Sequence, residues 1–252
     1  MDALPVKIYL LANIMKNLLV LLFLASNAYI VRAEETTHVY IDNGELNYAG
    51  NITQAGNKEI FGLFDALDKK PLVLAIRSKG GSTDAGIALG TWVHQQGLVV
   101  KVLEYCFSSC ANYVFTAAPR KIVSSFAVIG YHGGLSSGHF GVDAEQEARF
   151  AAMPAAQQAV ARKLFDDSVR QMVELKEREE RTFFALVKVN QEITTVGQAP
   201  QYTQRYGSDD RILGWTFTAD GFEKRGVANI RVLNAPWQPK FINSNFSVFV
   251  ID

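Results

Sequence analysis

Three apolar runs, "LVLAIRS" (72–78), "LVVKVLEY" (98–105) and "KIVSSFAVIGYHGG" (121–134), each lead into a loop of small or polar residues and then a segment of helical spacing. Apolar runs with little alternation suit parallel strands covered on both faces. Strands that alternate with helices are joined by right-handed crossovers, so the pattern predicts an α/β fold with parallel strands. Between the first two runs, "KGGSTDAGIALGTWVHQQG" (79–97) reads as a glycine turn feeding a helix that Gly97 closes. Upstream, "HVYIDN" (38–43) alternates like a strand, and "NKEIFGLFDALDKK" (57–70) sets Ile60, Phe61, Phe64 and Leu67 on one helical face before Pro71.

The segment 143–193 changes character, being rich in Ala, Glu, Gln, Lys and Arg with an interruption at Met153-Pro154. It predicts one or two long helices, with an apolar stripe of Phe165, Val169, Met172, Val173 and Leu175, and "ELKEREER" (174–181) as a solvated charged stretch. The close, "GWTFTADGFEKRGVANIRVL" (214–233), reads as a short strand, a helix over 220–224, a glycine stop and a last strand. The tail 234–252 is not placed.

At 252 residues and 48% apolar content the chain can bury one substantial core, and its zero formal charge points away from a nucleic-acid partner. "MKNLLVLLFLASNAYIVRA" (15–33) is a basic start, an apolar run over 18–25 that is too short to span a bilayer, and Val31 and Ala33 at cleavage positions. This reads as a secretory signal over 1–33, ahead of a domain over 34–233, with the start at Met1 or at Met15. An uncleaved anchor is the alternative. Export implies an oxidising compartment, in which Cys106 and Cys110, four apart and on consecutive helical turns, pair as a disulfide; two buried free thiols are the alternative. Two cysteines with no histidine pair nearby do not suggest a metal site.

Loops that follow parallel strands line the crevice of an open sheet. Here those loops are "SKGGS" (78–82), "CFSSC" (106–110) and "YHGG" (131–134), and they bring serines, an imidazole and glycine amides, the groups acyl transfer needs. His38, His94 and His139 read as bystanders, and Trp92, Trp215 and Tyr113 as core.

On these residues the chain resembles the proteolytic subunit of the Clp protease. "RSKGGSTDAGIALGTWV" is similar to that family's "NSPGGS…AG" segment, "SSCANYVFTAA" to its nucleophile helix and "VIGYHGG" to its histidine strand. "GELNYAGNIT" resembles the opening of that fold and "FTADGFEKRGVANI" its closing helix and strand, and the Cys-x-Ser-x-Cys pattern resembles an exported, Clp-protease-like group. The resemblance implies a ClpP/crotonase-like spiral of repeated β-β-α units with a long helical segment. It implies Gly80, Gly81 and the amide after the serine as an oxyanion hole, and His132 as general base. The nucleophile is Ser109 by gap-free alignment, which makes Cys110 the amide donor, or Ser108 by the cysteines, with Ser109 preferred. The third member is Asp210, or Asp209 beside it. Lys79 replaces the family's proline, and "GLSSGHFG" (134–141) replaces the strand that binds substrate.

The expectation is therefore an exported, periplasmic serine hydrolase acting on peptides or proteins, without metal, nucleotide or other cofactor, and forming a homo-oligomer. A non-catalytic binding protein of the same fold is the alternative. Crotonase-like acyl-thioester chemistry, on the same fold type, is a third reading that export disfavours.

Overall fold

The computed structural model describes residues 36–137, 144–239 and 247–252. The signal and start-site expectations for 1–33, and His139, lie outside the described residues. Strands β1 (His38–Asp42) and β2 (Glu45–Ala49) form an antiparallel hairpin, with Asn43 and Gly44 both at positive φ as a tight two-residue turn requires. Helix α1 (Gln54–Ala66) begins before the expected segment because Thr53 Oγ1 accepts the Gly56 N–H, and Ile60 and Phe64 enter the core. Strand β3 (Val73–Arg77) leads to α2 (Thr83–Gln96), capped by Ser82 and closed by Gly97 in the left-handed conformation.

Each of the next two apolar runs is two strands, not one. The second run splits into β4 (Val99–Val102) and β5 (Tyr105–Phe107), the third into β6 (Arg120–Ser124) and β7 (Val128–Gly130). The first strand of each pair joins the large sheet, ordered β1-β2-β3-β4-β6-β9 with β9 (Ile230–Leu233) at its far edge, while β5 and β7 pair in parallel in a second layer. This repeated β-β-α step is the expected spiral. After β5 comes a π-helical segment, α3 (Cys110–Phe115), buried throughout.

The chain continues through α4 (Ala144–Ala151), α5 (Ala155–Val187), α6 (Pro200–Tyr206), β8 (Ile212–Phe217), α7 (Ala219–Glu223), β9 (Ile230–Leu233) and β10 (Ser247–Ile251). The break at Met153-Pro154 separates α4 from the 33-residue α5, as the sequence predicted. Little of the α5 apolar stripe is packed: Phe165 meets Phe150, but Met172 and Leu175 are about half exposed, and burial is confined to the last turns, through Phe183 and Phe184. The charged stretch 174–181 is not wholly solvated either, because Glu180 is fully buried. The unplaced tail contributes β10, parallel to β8. Among the described residues no helix is long and apolar enough to cross a membrane.

Candidate active site

The parallel pairing of β5 and β7 brings the serine and the histidine together. Phe107 is in register with Gly130, and the Ser108 N–H donates to Gly130 O at 2.9 Å. Tyr131 then exchanges two backbone hydrogen bonds with Trp215, fixing the strand just before His132. Ser108 and His132 thus leave neighbouring strands at the same end, and His132 Nε2 lies 2.7 Å from Ser108 Oγ. Phe107 stacks on the imidazole, with ring centroids 5.3 Å apart and planes 11° apart, and Gln198 Nε2 donates to His132 O.

Ser108 holds φ at +57°, a left-handed conformation that costs a residue with a side chain on the order of 1–3 kcal/mol. The turn persists because it is braced from both sides. A disulfide joins Cys106 in β5 to Cys110 at the start of α3, with Cα atoms 5.2 Å apart. The pairing is as expected, but it spans strand to helix, not two helical turns, and closes around Phe107, Ser108 and Ser109. From the other side, Gly80 presses on the turn so closely that a Cβ there would lie 2.7 Å from Ser108 Cβ and 3.0 Å from Ser109 N.

Ser109, the serine preferred from the sequence, is in the wrong place for a base at His132. It is buried, and its Oγ donates to Gly81 O at 3.3 Å. The register explains this correction, since the residue just past β5 faces β7 while the next one turns inward to start the helix. The amide that follows the histidine-bonded serine is that of Ser109 and not Cys110. Gly81 pairs with Ile52 by a parallel bridge in which Ile52 bonds Gly80 O and Ser82 N, leaving the Gly81 N–H and carbonyl on the side of the serine turn. Gly80, by contrast, gives its N–H to Ser78 Oγ at 3.0 Å. Among the described residues neither the Gly81 nor the Ser109 N–H has an acceptor. The Gly81 N–H is thus turned toward the serine side, while the Gly80 N–H is taken up by Ser78 and Gly80 packs under the turn.

The carboxylate expectation is corrected as well. Asp210 is exposed, and Asp209 is clasped by Arg211, whose Nε and Nη2 donate at 2.8 and 2.7 Å and hold the Asp209 carboxyl down to about 2. The tight turn that puts Arg211 two residues after Asp209 satisfies this carboxylate locally. Among the described residues no carboxylate hydrogen-bonds the His132 ring. Burial alone lowers the His132 pKa from its ordinary value, although one edge of the residue stays open, so the neutral imidazole is the resting form near neutral pH.

A crevice of about 340 Å³ opens beside the pair, lined by Ser108, Asn112, Tyr113, His132, Gly133 and Gln198 among others, with neither lysine nor arginine among the described residues of its lining. Sequence reasoning missed Asn112, whose Nδ2 donates to Gly133 O at 2.8 Å and ties the serine helix to the histidine loop. Its signal was its position one helical turn after Ser108. Among the described residues no cluster of His, Cys, Asp or Glu is arranged to hold a metal ion. Of the other histidines, His38 is exposed and His94 Nδ1 meets Ala117 O, while Trp215 and Tyr113 are core.

No family model matches the chain, and no curated protein matches it. Solved structures similar to it include an enoyl-CoA hydratase from Thermoplasma volcanium GSS1, at 12% identity over 71% of this chain and 98% of that one with a TM-score of 0.32. A methylmalonyl-CoA decarboxylase matches at 10% identity over 69% of this chain and 88% of that one, TM-score 0.29. An enoyl-CoA hydratase from Shewanella pealeana ATCC 700345 matches at 6% identity and a TM-score of 0.28 over 37% of this chain, which spans about half, 48%, of that enzyme's length.

Proposed function

We propose that this protein is an exported, periplasmic serine hydrolase of the Clp-protease-like group that cleaves peptide bonds with Ser108 as nucleophile and His132 as base. The observation that carries the reading is the 2.7 Å contact between Ser108 Oγ and His132 Nε2 at a strained, disulfide-braced turn. His132 Nε2 takes the Ser108 proton as Oγ attacks the scissile carbonyl, and the oxyanion forms within reach of the Gly81 and Ser109 amides. The imidazolium returns that proton to the departing amine, leaving an acyl-serine that water, activated by the same nitrogen, hydrolyses. Phe107 stacking orients the ring in place of a carboxylate, so the site works as a dyad. No step calls for a metal or a cofactor. The crevice lining, which among the described residues holds neither lysine nor arginine, supports hydrolysis over chemistry on a phosphate-bearing acyl thioester.

The long helix supports self-association. Val160, Leu164, Met172, Leu175 and Leu186 fall on one side of α5, and each is between 44% and 66% exposed. The same row, with no carboxylate on the His132 ring among the described residues, favours the second reading, a non-catalytic binding protein. A fluorophosphonate probe separates the two. The hydrolase is labelled, Ser108→Ala abolishes labelling and Ser109→Ala retains it, whereas equal labelling of Ser108→Ala, or none of the wild type, rejects the catalytic assignment.

A further inference from the structure

Glu180 sits among charged neighbours that face water, yet it is fully buried. A carboxyl there is tolerated only when its oxygens are hydrogen bonded, and two of the groups that bond this one, Tyr113 and Leu135, line the site crevice. Oε1 accepts from Tyr113 Oη at 2.7 Å and from the Leu135 N–H at 3.4 Å, and Oε2 accepts from Gln191 Nε2 at 2.8 Å. Tyr113 belongs to α3, the helix that starts at the serine turn. Leu135 belongs to the loop that leaves β7 through His132. Gly134 makes the approach possible, because a Cβ there would lie 2.9 Å from Glu180 Oε1 and 2.7 Å from Thr194 Oγ1. Burial and the adjacent Glu180 raise the Tyr113 pKa, so the phenol remains a donor at all working pH values.

One carboxyl on α5 therefore ties the serine-bearing helix to the histidine-bearing loop, alongside the Asn112–Gly133 bond. We infer that Glu180 is a positioning residue that sets the Ser108–His132 contact through Tyr113 and Leu135, an inference resting on the hydrolase reading above. It touches no reacting atom. Its effect is on where the imidazole stands, and a displacement near 1 Å at such a contact lowers rate by about 100-fold.

The test compares full-length Glu180→Ala, Glu180→Gln and Tyr113→Phe by two readouts, each taken per folded molecule. One is the rate of fluorophosphonate labelling. The other is the pH titration of the His132 ring by nitrogen NMR, tractable with four histidines in the chain. Among the described residues no charged side chain bonds that ring, so its titration reports its burial and contacts. Glu180→Ala slows labelling by about tenfold or more and moves the His132 midpoint up toward the ordinary imidazole value as the loop releases the ring. Glu180→Gln stays within about threefold of wild type, because an amide oxygen still accepts from Tyr113 and Leu135 while Gln191 can turn its own carbonyl to the new amide. A buried group with only a stabilising role would lower the melting temperature and leave both readouts unchanged, which overturns the inference. Glu180→Gln as impaired as Glu180→Ala also overturns it. If Glu180→Ala does not fold, Tyr113→Phe decides, with slower labelling and the same upward shift expected, and no change overturning. If the wild type is never labelled, the hydrolase reading fails, while the His132 titration still decides Glu180.

Discussion

Replacing Gly80 with alanine probes the brace under the serine turn. Gly80 holds φ at +104°, where a side chain is strained, and an added Cβ would meet Ser108 Cβ at 2.7 Å, Phe107 O at 2.9 Å and Ser109 N at 3.0 Å. None of these atoms is the far end of a flexible side chain, and the disulfide holds the turn that carries them. The backbone strain costs about 2 kcal/mol and the forced overlap about 1–3 kcal/mol, so Gly80→Ala loses about 3–5 kcal/mol of stability. Gly44 is the matched control. It also has positive φ, +76°, but an added Cβ would meet nothing within 4 Å, so Gly44→Ala costs only the backbone strain, about 1–2 kcal/mol. Relief of the overlap displaces Ser108 from His132 and Ser109 N from the oxyanion position, lowering fluorophosphonate labelling by about 100-fold. Urea denaturation and labelling time courses on both variants measure these terms. Equal stability losses for the two, with Gly80→Ala labelled at the wild-type rate, would refute the tight packing and the role assigned to the turn.

Reduction of the Cys106–Cys110 bond, or replacement of both cysteines by alanine, opens a loop of about five residues and lowers stability by about 2 kcal/mol, measured by denaturation. Labelling slows with it as Ser108 leaves its left-handed conformation; an undiminished rate would make the bond a helix staple only. Because burial lowers the His132 pKa, labelling rises with pH through a midpoint below 6.5 and is level at higher pH. The sign for stability is the same: between the folded value and 6.5 the unfolded chain binds more protons, so stability rises with pH across that window and falls as pH drops through it. His132→Ala removes this slope. Substituting Leu164 and Met172 with glutamate yields a smaller species in light scattering if α5 carries the homo-oligomer interface, and an unchanged mass excludes that face.

The strands, the first two helices and the three loops were readable because apolar run length, the Ser82 and Gly97 caps and the Gly80-Gly81 turn are local properties. Where a strand changes sheets was not. Apolar residues stand on both sides of Leu103-Glu104, and Ile122-Val123 and Ala127-Val128 on the two sides of Ser124-Ser125-Phe126, so periodicity sees one strand where the structure has two. The choice of Ser108 over Ser109 depends on a single backbone angle in a residue that seldom adopts it, set by β5–β7 register. Asp210 and Asp209 stand where the resemblance placed a third member, but Arg211 next to them takes up Asp209 and Asp210 is exposed. Glu180 looked solvated because charge count hides phase. It lies three and four residues before Phe183 and Phe184, on the face that enters the core.

The central claim, that Ser108 is the nucleophile activated by His132, is tested most directly by locating the fluorophosphonate adduct in the 103–121 peptide by fragmentation mass spectrometry. Modification on Ser108 that disappears in His132→Ala is the expected result. An adduct on Ser109, or one on Ser108 that forms as fast without the imidazole, would contradict it.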